Sequence, residues 1–514
     1  MRRFHQASWD EPIIHELSVP GERGILVPQV EEGIADAVGD PLSRIPESIR
    51  RSDPPDLPEI SEHRVLQHYL RLSQETLGEH LNVDVGQGTC TMKYNPPVNE
   101  RFATSPKLTE LHPLQDESTV QGILEIMYKL ERFLCEISGL ERFSLQPGGG
   151  SHAIYAMACM IRAYFADRGE KRDEIITTLF SHPSDAAAPR VKGFKPIVIP
   201  PDPDGFPDIT SLRDAVSART AALFITNPED TGIFNPRIAE FTAAVHRVGG
   251  ICCYDQANAN GILGITRAKE AGFDMCFFNL HKTFASPHGC GGPGSGVLGA
   301  SGEIADYLPV PLVEYDGERY FLDYDRPRSI GKVKDFYGVI PAIVRAYAWI
   351  MSLGEEGLRT VAETAVLNNN YLLHKLRKVR GMSAPFAPGK RRLEQVRYSF
   401  EELSRDTGVH TTDIQRRVAD FGGHYWLSHE PWYVPEPVTL EPTESYSKRE
   451  LDEYAEIIRR IADEAYADPE RVRTAPHQST IGKVADHSYF EDPGKWALTW
   501  RGYKRKYAGY FEQH

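Results

Sequence analysis

Hydrophobic residues along the chain follow two spacings, one typical of helices and the other typical of buried strands. Between residues 120 and 140 apolar side chains recur every three or four positions, which predicts a helix that ends at Gly139. From about residue 143 to 300, short apolar runs alternate with helical stretches. The predicted strands are EIITTLF, KPIVIP, AALFIT, GICCYD and MCFFNL, with helices predicted between them in SHAIYAMACMIRAYFADRG and IAEFTAAVHRVG.

This alternation predicts an α/β fold with a mostly parallel sheet, because strands that are apolar at every position are covered on both faces. Ligands of such sheets bind at the carboxyl ends of the strands. Four segments are expected. They are an N-terminal arm with an irregular or helical segment (1–110), a large α/β domain (111–345), a smaller α+β domain with long helices (346–475), and a polar, aromatic tail without a clear element (476–514).

The charge, the apolar runs and the cysteines of the chain argue against several classes of protein. The chain has 514 residues and a net charge of −14, which argues against non-specific nucleic-acid binding. It contains no uninterrupted apolar run of about 18 residues, and its N-terminus lacks a signal-peptide pattern, so we expect a cytoplasmic protein with no membrane partner. None of the seven cysteines forms a CxxC pair, so neither a metal site nor a disulfide framework is expected. Cys290, in a glycine-rich loop, is the cysteine expected to be accessible.

Two charged residues follow neighbouring apolar runs and indicate a specific chemistry. Asp255 ends one predicted strand, and Lys282 follows the next. At the carboxyl edge of a parallel sheet both would project into the same crevice. Pyridoxal phosphate (PLP) enzymes need this pair, because a lysine amine forms a Schiff base with the cofactor and a carboxylate keeps the pyridine nitrogen protonated. Either residue alone is more often a surface charge or a turn cap.

Two further features support a PLP site. The run from Gln146 to His152 is rich in glycine and directly precedes a predicted helix, whose N-terminus would offer unpaired N–H groups to a phosphate. His182 follows another apolar strand and could stack on the cofactor ring. A glycine run or a single histidine is usually structural. The order of glycine loop, histidine, aspartate and lysine, however, is the one expected of fold-type I PLP enzymes.

The segment around Lys282, NLHKTFASPHGCGGPGSG, resembles the PLP-lysine segment of the glycine cleavage system P-protein, glycine dehydrogenase (decarboxylating). The resemblance runs in order from about residue 85 to 480, and length and placement fit subunit 2, the cofactor-bearing half of the two-subunit bacterial form. It implies an aspartate aminotransferase-like, fold-type I enzyme. The other segments that carry it are GTCTMKYNPPVNE, LHPLQDESTVQGILEIMY, TNPEDTGIF, YDQANANGILG, RPRSIGKVKDFYG, LEPTESYSKRELD and AP followed by His477.

The resemblance also implies roles for individual residues. Lys282 would hold PLP, Asp255 would pair with the ring nitrogen, and His182 and Ala257 would lie on the two faces of the ring. The residues implied near the phosphate are Gly150, Ser151 and His281. The family reaction decarboxylates glycine and transfers the aminomethyl group to a lipoylated H-protein. A homologous subunit 1 is implied as partner, although a homodimer is also reasonable because fold-type I sites usually form at subunit interfaces.

The chain departs from the family pattern near the proposed site. The usual Gly-Thr-Asn-Pro after His182 is Pro183-Ser184-Asp185-Ala186, and the helix after the glycine loop begins Ser151-His152-Ala153-Ile154, without the usual glutamate. Asp-Gly-Ala-Asn is replaced by Asp255-Gln256-Ala257-Asn258, and a loop glycine by Cys290. A His-Glu pair usual before a C-terminal strand is missing, with Val396-Arg397-Tyr398 in its place. Two carboxylates are therefore expected to be lost.

Three functions remain open from the sequence. The first is the family reaction on glycine. The second is a divergent paralogue that uses PLP for decarboxylation, or for other chemistry at the α-carbon, on a different amino acid without a lipoyl carrier. The third is a scaffold subunit that binds PLP mainly to stabilise a complex, although a scaffold has no need of both Lys282 and Asp255.

Overall fold

The structure is a computed structural model that describes residues 4–25, 27–53, 55–75, 85–86, 90–91, 93–287, 294–423, 433–479 and 499–507. Cys290 lies outside these residues, as does most of the tail after residue 479. The chain divides into two units, Phe4–Leu77 with Pro476–His514, and Gly78–Ala475. The second unit thus includes residues 78–110, which the sequence analysis grouped with the N-terminal arm. The expected boundary at 345 falls inside a helix that spans Ile340–Leu376.

Strands β1–β7 form one mixed sheet at the centre of the larger unit. Their order across the sheet is β1-β7-β6-β5-β4-β2-β3. Strands β2 to β6 are parallel to their neighbours, whereas β7 is antiparallel to both β6 and β1. The strands are β1 (Arg142–Ser144), β2 (Glu174–Thr178), β3 (Lys195–Ile199), β4 (Thr220–Thr226), β5 (Ile251–Gln256), β6 (Met275–Asn279) and β7 (Gly296–Ala300).

Helices surround this sheet and build the rest of the chain. They are α1 (Glu32–Val38), α2 (Glu62–Gln74), α3 (Pro97–Ala103), α4 (Pro106–Thr109), α5 (Gln121–Ser138), α6 (Gly150–Asp167), α7 (Ser184–Val191), α8 (Ile209–Ala215), α9 (Ile238–His246), α10 (Ile340–Leu376), α11 (Glu401–Thr407), α12 (Thr411–Ala419), α13 (Lys448–Ala467), α14 (Pro469–Arg473) and α15 (Trp500–Tyr507). Helix α5 ends as the sequence predicts, because Gly139 takes the left-handed conformation (φ 73°) that favours glycine.

The central strands are apolar at every position because they contribute to two hydrophobic cores. Side chains alternate between the faces of a strand. Cys252 and Tyr254 therefore pack into the core beneath α5, α9 and α10, while Cys253 packs into the core beneath α6. In β6, Phe278 and Phe277 divide in the same way. The prediction of a sheet buried on both faces is confirmed.

The C-terminal part of the larger unit has its own core. The helix α10 is broken at Gly354, whose φ of 64° is outside the helical range, and its second half enters this core. A small sheet that pairs β8 (Leu312–Tyr315) with β9 (Tyr320–Asp323) lies outside this core and packs against α5. Within the C-terminal part, strands β10 (Val396–Ser399) and β11 (Pro437–Leu440) pair antiparallel. Buried side chains of α10, β10, β11 and α13 fill the space between them, which gives the expected smaller α+β assembly.

The smaller unit consists of the N-terminal arm and the end of the chain, which pack together. The carboxylate of Glu11 pairs with His68 Nδ1 and with Arg71 Nε, each at 2.6 Å. The ring of His15 stacks on Trp500 with 5.1 Å between centroids. The sequence predicts no element in the tail, and this is wrong for α15, which is short and polar and gains its packing from the distant arm.

Among the described residues, no helix is both long enough and apolar enough to cross a membrane.

Candidate active site

The predicted site residues meet at one edge of the central sheet. Strands β2, β4, β5 and β6 are parallel neighbours, so their carboxyl ends lie side by side. His182 follows β2, Asp230 follows β4, Asp255 lies near the end of β5, and Lys282 follows β6. The glycine loop follows β1, which runs in the same direction as these strands. Topology therefore brings residues that are distant in sequence to a single crevice.

Lys282 and Asp255 are both buried, at 6% exposure each. The Asp255 Oδ1 atom accepts a hydrogen bond of 2.8 Å from the Ala257 N–H. Burial raises the pKa of Asp255 to about 6, although that hydrogen bond and the charge of Lys282 act in the opposite direction. Both members of the pair predicted from the sequence are thus buried at this edge of the sheet.

The glycine loop forms a tight cradle at the N-terminus of α6. No side chain of the described residues caps this helix, so its first N–H groups are available to an anion. A Cβ on Gly150 would lie only 2.9 Å from Asn279 Nδ2, and one on Gly296 would lie 2.7 Å from the Gly149 carbonyl oxygen. Backbone and ligand can approach this closely only where side chains are missing.

Adding a methyl group to this cradle should weaken cofactor binding. In Gly150→Ala, the new Cβ would press on Asn279 and on the Phe277 ring, 3.2 Å away, and displace the first turn of α6. We expect the affinity for PLP, measured by absorbance titration of the cofactor-free protein, to fall about tenfold or more. Gly122→Ala on the exposed side of α5 is the matched control, since its Cβ would meet nothing within 4 Å. Equal affinities in the two variants would contradict a phosphate site at the cradle.

The remaining predicted residues lie around this cradle and crevice. Ser151 is exposed, and its hydroxyl is 2.6 Å from that of Ser184. His182 is half-buried, and its Nδ1 accepts a hydrogen bond of 3.1 Å from the Ser184 N–H. His281 is buried and accepts one of 3.1 Å from the Ser295 N–H. Ala257 is half-buried, and its N–H donates the hydrogen bond to Asp255 that is described above.

The crevice also contains carboxylates that the sequence analysis did not assign. Asp185 is fully buried, and neither carboxylate oxygen has a hydrogen-bond partner among the described residues. Burial, together with the charges of Asp255 and Asp230, raises its pKa well above the usual range. Its position three residues after His182, where the family pattern has asparagine, is the sequence signal that could have found it. Glu229, Glu394 and Glu441 are also buried, at 1%, 2% and 2% exposure.

The expected loss of the carboxylate before the C-terminal strand is wrong. Val396, Arg397 and Tyr398 lie inside β10, and the residues that directly precede this strand are Glu394 and Gln395, both buried. The error arose because the sequence does not show where β10 begins. Ile154, at the departure from the family pattern in the glycine-loop helix, is at 1% exposure and packs in the core beneath α6.

A small cavity lies beside His182. It has a volume of about 110 Å³. One side carries the buried ion pair between Arg397 and Asp230, with 2.8 Å between nitrogen and oxygen. The residues that line it are Thr177, Thr178, Leu179, Ser181, His182, Pro183, Ala186, Val198, Asp230, Arg397 and Tyr433. Its volume suits only a small ligand, to which a mainly apolar lining offers a few polar groups, among them Thr178, Asp230 and Arg397.

Neutralising Glu229 should stabilise the cofactor-free protein at alkaline pH. Burial raises the pKa of Glu229 to about 8, and the nearby Asp230 charge adds to this, while a hydrogen bond from Thr178 and the Arg397 charge oppose it. A raised pKa means that the folded protein loses stability as pH rises from about 4.5 to about 8. Glu229→Gln removes this dependence, so at pH 8 it should be more stable than the wild type by on the order of 2–4 kcal/mol.

Urea denaturation at several pH values measures this effect, and near pH 4 the two proteins should differ little. Glu136→Gln is the control, because its side chain is 85% exposed and its charge costs no burial. A Glu229→Gln variant that is less stable than the wild type at pH 8 would show that the carboxylate is ionised and compensated in the fold.

A cluster outside the crevice has the composition of a metal site. The ligand atoms of His246, Cys252 and Asp274 lie within 4.8 Å of one another. However, Asp274 Oδ2 already accepts hydrogen bonds from His246 Nε2 (2.9 Å) and the Cys252 N–H (2.7 Å). Burial keeps the pKa of the Cys252 thiol well above its usual range, whereas a metal needs the thiolate. These contacts describe a structural hydrogen-bond cluster.

The residues at the sheet edge fit PLP. Lys282 supplies a buried amine, Asp255 a buried carboxylate, and the uncapped start of α6 an anion site. Beside the cradle, Asn279 Oδ1 and Ser295 Oγ are buried without a hydrogen-bond partner in the described part of the chain. Buried polar atoms are rarely left unpaired, so these two are suited to a bound polar group.

Comparisons with known proteins agree with this geometry. Residues 148–295 match the family model of class-V aminotransferases, and residues 361–483 match that of the C-terminal domain of glycine dehydrogenase. Among solved structures, an inhibitor-bound glycine decarboxylase (P-protein) of the glycine cleavage system is similar with a TM-score of 0.71 at 20% identity, over 85% of this chain and 100% of that one. A NifS-like protein is similar with a TM-score of 0.57 at 16% identity, over 74% of this chain and 100% of that one. The sheet, the site and these matches define the fold of the fold-type I PLP-dependent enzymes.

Curated relatives identify the family within this class. A probable glycine dehydrogenase (decarboxylating) subunit 2 from Pyrococcus abyssi is 46% identical over 507 residues, with 98% of each chain covered. The protein of the same name from Caldanaerobacter subterraneus is 43% identical, with 92% of this chain and 96% of that one covered. The chain therefore belongs to the glycine dehydrogenase (decarboxylating) subunit 2 family.

Proposed function

We propose that this protein is a PLP-dependent enzyme that decarboxylates glycine and delivers the aminomethyl group to a lipoylated carrier protein. The observation that carries the proposal is the burial of Lys282 and Asp255 at the ends of neighbouring parallel strands, beside an uncapped helix N-terminus. Membership of the glycine dehydrogenase subunit 2 family supports glycine as the substrate.

Each residue of the proposed site has a separate role toward the cofactor. Lys282 would hold the cofactor, and Asp255 would keep a proton at its ring nitrogen. His182 and Ala257 would contact the ring. The residues assigned to the phosphate are Gly150, Ser151 and His281. PLP, when bound, supplies an electron-accepting ring for the electron pair left at the α-carbon when one of its bonds breaks.

Burial of the reacting groups supports the same reaction. Lys282, Asp255 and His281 are each at 6% exposure, so water has little access to them. A dry crevice strengthens the electrostatic interaction between the carboxylate and the ring nitrogen and protects the substrate carbon from unwanted protonation. A homologous subunit 1 and a lipoylated H-protein are the proposed partners.

A combined binding and turnover experiment tests the proposal. The protein reconstituted with PLP is mixed with glycine and with each other common amino acid, and both the visible absorbance and the release of CO2 are recorded. The same samples are repeated with a lipoylated H-protein and with a subunit 1 homologue. We expect a response to glycine, CO2 release that the carrier strongly stimulates, and exchange of labelled bicarbonate into glycine. A response to another amino acid that needs no carrier would instead identify a divergent decarboxylase.

A further inference from the structure

The small cavity beside His182 contains a polar group that the fold leaves without a partner. The cavity has a volume of about 110 Å³, and Thr177 is one of the residues that line it. The Thr177 Oγ1 atom is buried and has no hydrogen-bond partner among the described residues. Buried polar atoms are rarely left unpaired, so this hydroxyl indicates a site for a polar ligand. Solvent reaches the cavity wall, because Val198 and Tyr433 are 45% and 46% exposed.

Arg397 contributes a buried cation to this cavity. Its side chain is at 4% exposure, and its Nη2 atom lies 2.8 Å from Asp230 Oδ2. Its hydrogen bond from Nε to Thr439 Oγ1 is long, at 3.5 Å. A guanidinium carries five N–H donors, and the Nη1 atom of Arg397 donates to no residue that the structure describes. One side of the guanidinium is thus held by Asp230, and the other side is available to a ligand.

The charges around Arg397 suit a ligand that carries both signs of charge. Two further buried carboxyl groups, those of Glu229 and Asp185, interact with Asp230. Burial raises the pKa of Glu229 to about 8, and burial with the charges of Asp255 and Asp230 raises that of Asp185 well above its usual range, so both are mostly uncharged at neutral pH. Arg397 and Asp230 therefore form a pair without net charge. A free amino acid is also a zwitterion, and its carboxylate complements the guanidinium.

Hydrogen bonds and strand register place the cavity next to the strand that carries Asp255. Ser181 lines the cavity, and its Oγ atom accepts a hydrogen bond of 3.1 Å from the Thr226 N–H. Thr226 on β4 is the register partner of Asp255 on β5. Neighbouring strands lie about 4.8 Å apart. A ligand that occupies the cavity is therefore beside the crevice that is proposed to hold PLP.

We propose that Arg397 binds the carboxylate of the amino-acid substrate in this cavity, and this inference rests on the proposed function, in which an amino acid reacts on PLP. Asp230 is a positioning residue, because its ion pair fixes one edge of the guanidinium and turns the other edge toward the ligand. The small volume restricts the substrate to a small amino acid, which agrees with glycine. Arg397 thus determines specificity for a substrate with a carboxylate.

Three small probes separate recognition of the carboxylate from reaction of the amine. Methylamine is glycine without the carboxylate, and acetate corresponds to glycine without the amine. The affinities of the PLP-loaded protein for glycine and for methylamine are measured from the change in visible absorbance, and acetate is tested as a competitor of glycine. In the wild type, glycine should bind about tenfold or more tightly than methylamine, and acetate should compete with it.

The test variant combines Arg397→Gln with Asp230→Asn, because removal of both charges leaves no unpaired buried ion. Its affinity for glycine should fall by about 10- to 100-fold, the range for loss of a hydrogen bond between charged groups, and acetate should no longer compete. Its affinity for methylamine and its attachment of PLP should stay as in the wild type. The matched control combines Arg417→Gln with Asp420→Asn, an ion pair of 2.8 Å within α12 whose side chains are 5% and 1% exposed. This control should bind glycine as the wild type does.

A test variant that binds glycine as tightly as the wild type overturns the inference, as does one that loses glycine and methylamine equally. If this variant does not fold, Arg397→Lys decides, because it keeps the charge but not the planar donor group. It should weaken binding of glycine relative to methylamine by a few-fold, and an unchanged ratio also overturns the inference.

The outcomes for the inference and for the proposed function differ. If the wild type distinguishes glycine from methylamine through Arg397 but releases no CO2 from glycine, the proposed reaction fails and the inference stands. If the wild type releases CO2 while the ratio of the two affinities does not depend on Arg397, only the inference fails. Absence of any absorbance response to glycine and to methylamine contradicts both.

Discussion

Replacing Lys282 by alanine is expected to abolish glycine-dependent CO2 release, with a decrease of about 10⁴-fold or more, because residues that form the covalent bond contribute effects of this size. The amine is the group proposed to attach the cofactor, and it is buried at 6% exposure near the charge of Asp255. PLP should still enter the crevice through the α6 cradle, so weak and reversible binding is expected without a covalent link. Reduction with borohydride followed by mass spectrometry distinguishes the two forms of binding.

The control for this variant is Lys269→Ala, since Lys269 is exposed. It should retain full activity and full covalent attachment. Thermal unfolding of both variants shows whether the fold is preserved, because removal of Lys282 takes away a positive charge that acts on the buried Asp255 carboxyl. Borohydride-resistant attachment of PLP in the alanine variant would mean that another lysine holds the cofactor.

Replacing Asp255 by asparagine is the second change with a large expected effect. The amide keeps the size of the side chain and can accept the same hydrogen bond from the Ala257 N–H, but it carries no charge. We expect capture of PLP by Lys282 to be nearly normal while CO2 release falls by about 10²- to 10³-fold, a range typical for loss of one electrostatic catalytic group. Near-normal attachment of PLP with much slower CO2 release is the result expected if Asp255 interacts with the ring nitrogen.

The pH dependence gives a second measure of the Asp255 role. Because burial raises its pKa to about 6, the cofactor-free protein holds this carboxyl mostly protonated below that pH. The affinity of the wild type for PLP should therefore weaken as pH falls through about 6. The asparagine variant should lack this step, and Asp214→Asn, an exposed control, should keep it. A step that persists in Asp255→Asn would assign the titration to another group.

Several parts of the fold could be predicted because their signals are local. The strands of the central sheet were visible as continuous apolar runs, since a strand buried on both faces has no polar side. Gly139 marked the end of α5 because only glycine adopts its conformation at no cost. The β1 and β7 strands were not predicted, because β1 has only three residues and β7 is rich in glycine. Short strands depend on their neighbours for stability.

Site residues could likewise be predicted only where a local sequence signal marks them. Asp255 and Lys282 could be found because each follows a recognisable strand and parallel strands end at the same edge. The buried carboxylates around them could not. The sequence analysis assigned no role to Glu394, because the start of β10 has no clear sequence signal and the burial that raises the pKa of Glu394 depends on the tertiary structure.

The sequence by itself determined the α/β class, the buried character of the strands and the residues that can carry PLP chemistry, because these follow from side-chain type and spacing within short windows. Only the tertiary structure decided which of those residues meet. Thr91, Asn258 and Glu441 come from three separate parts of the chain, and their hydrogen bonds exist because the C-terminal strands pack beside the carboxyl edge of the central sheet. The raised pKa of Glu441 follows from desolvation, which depends on every segment that covers the carboxylate.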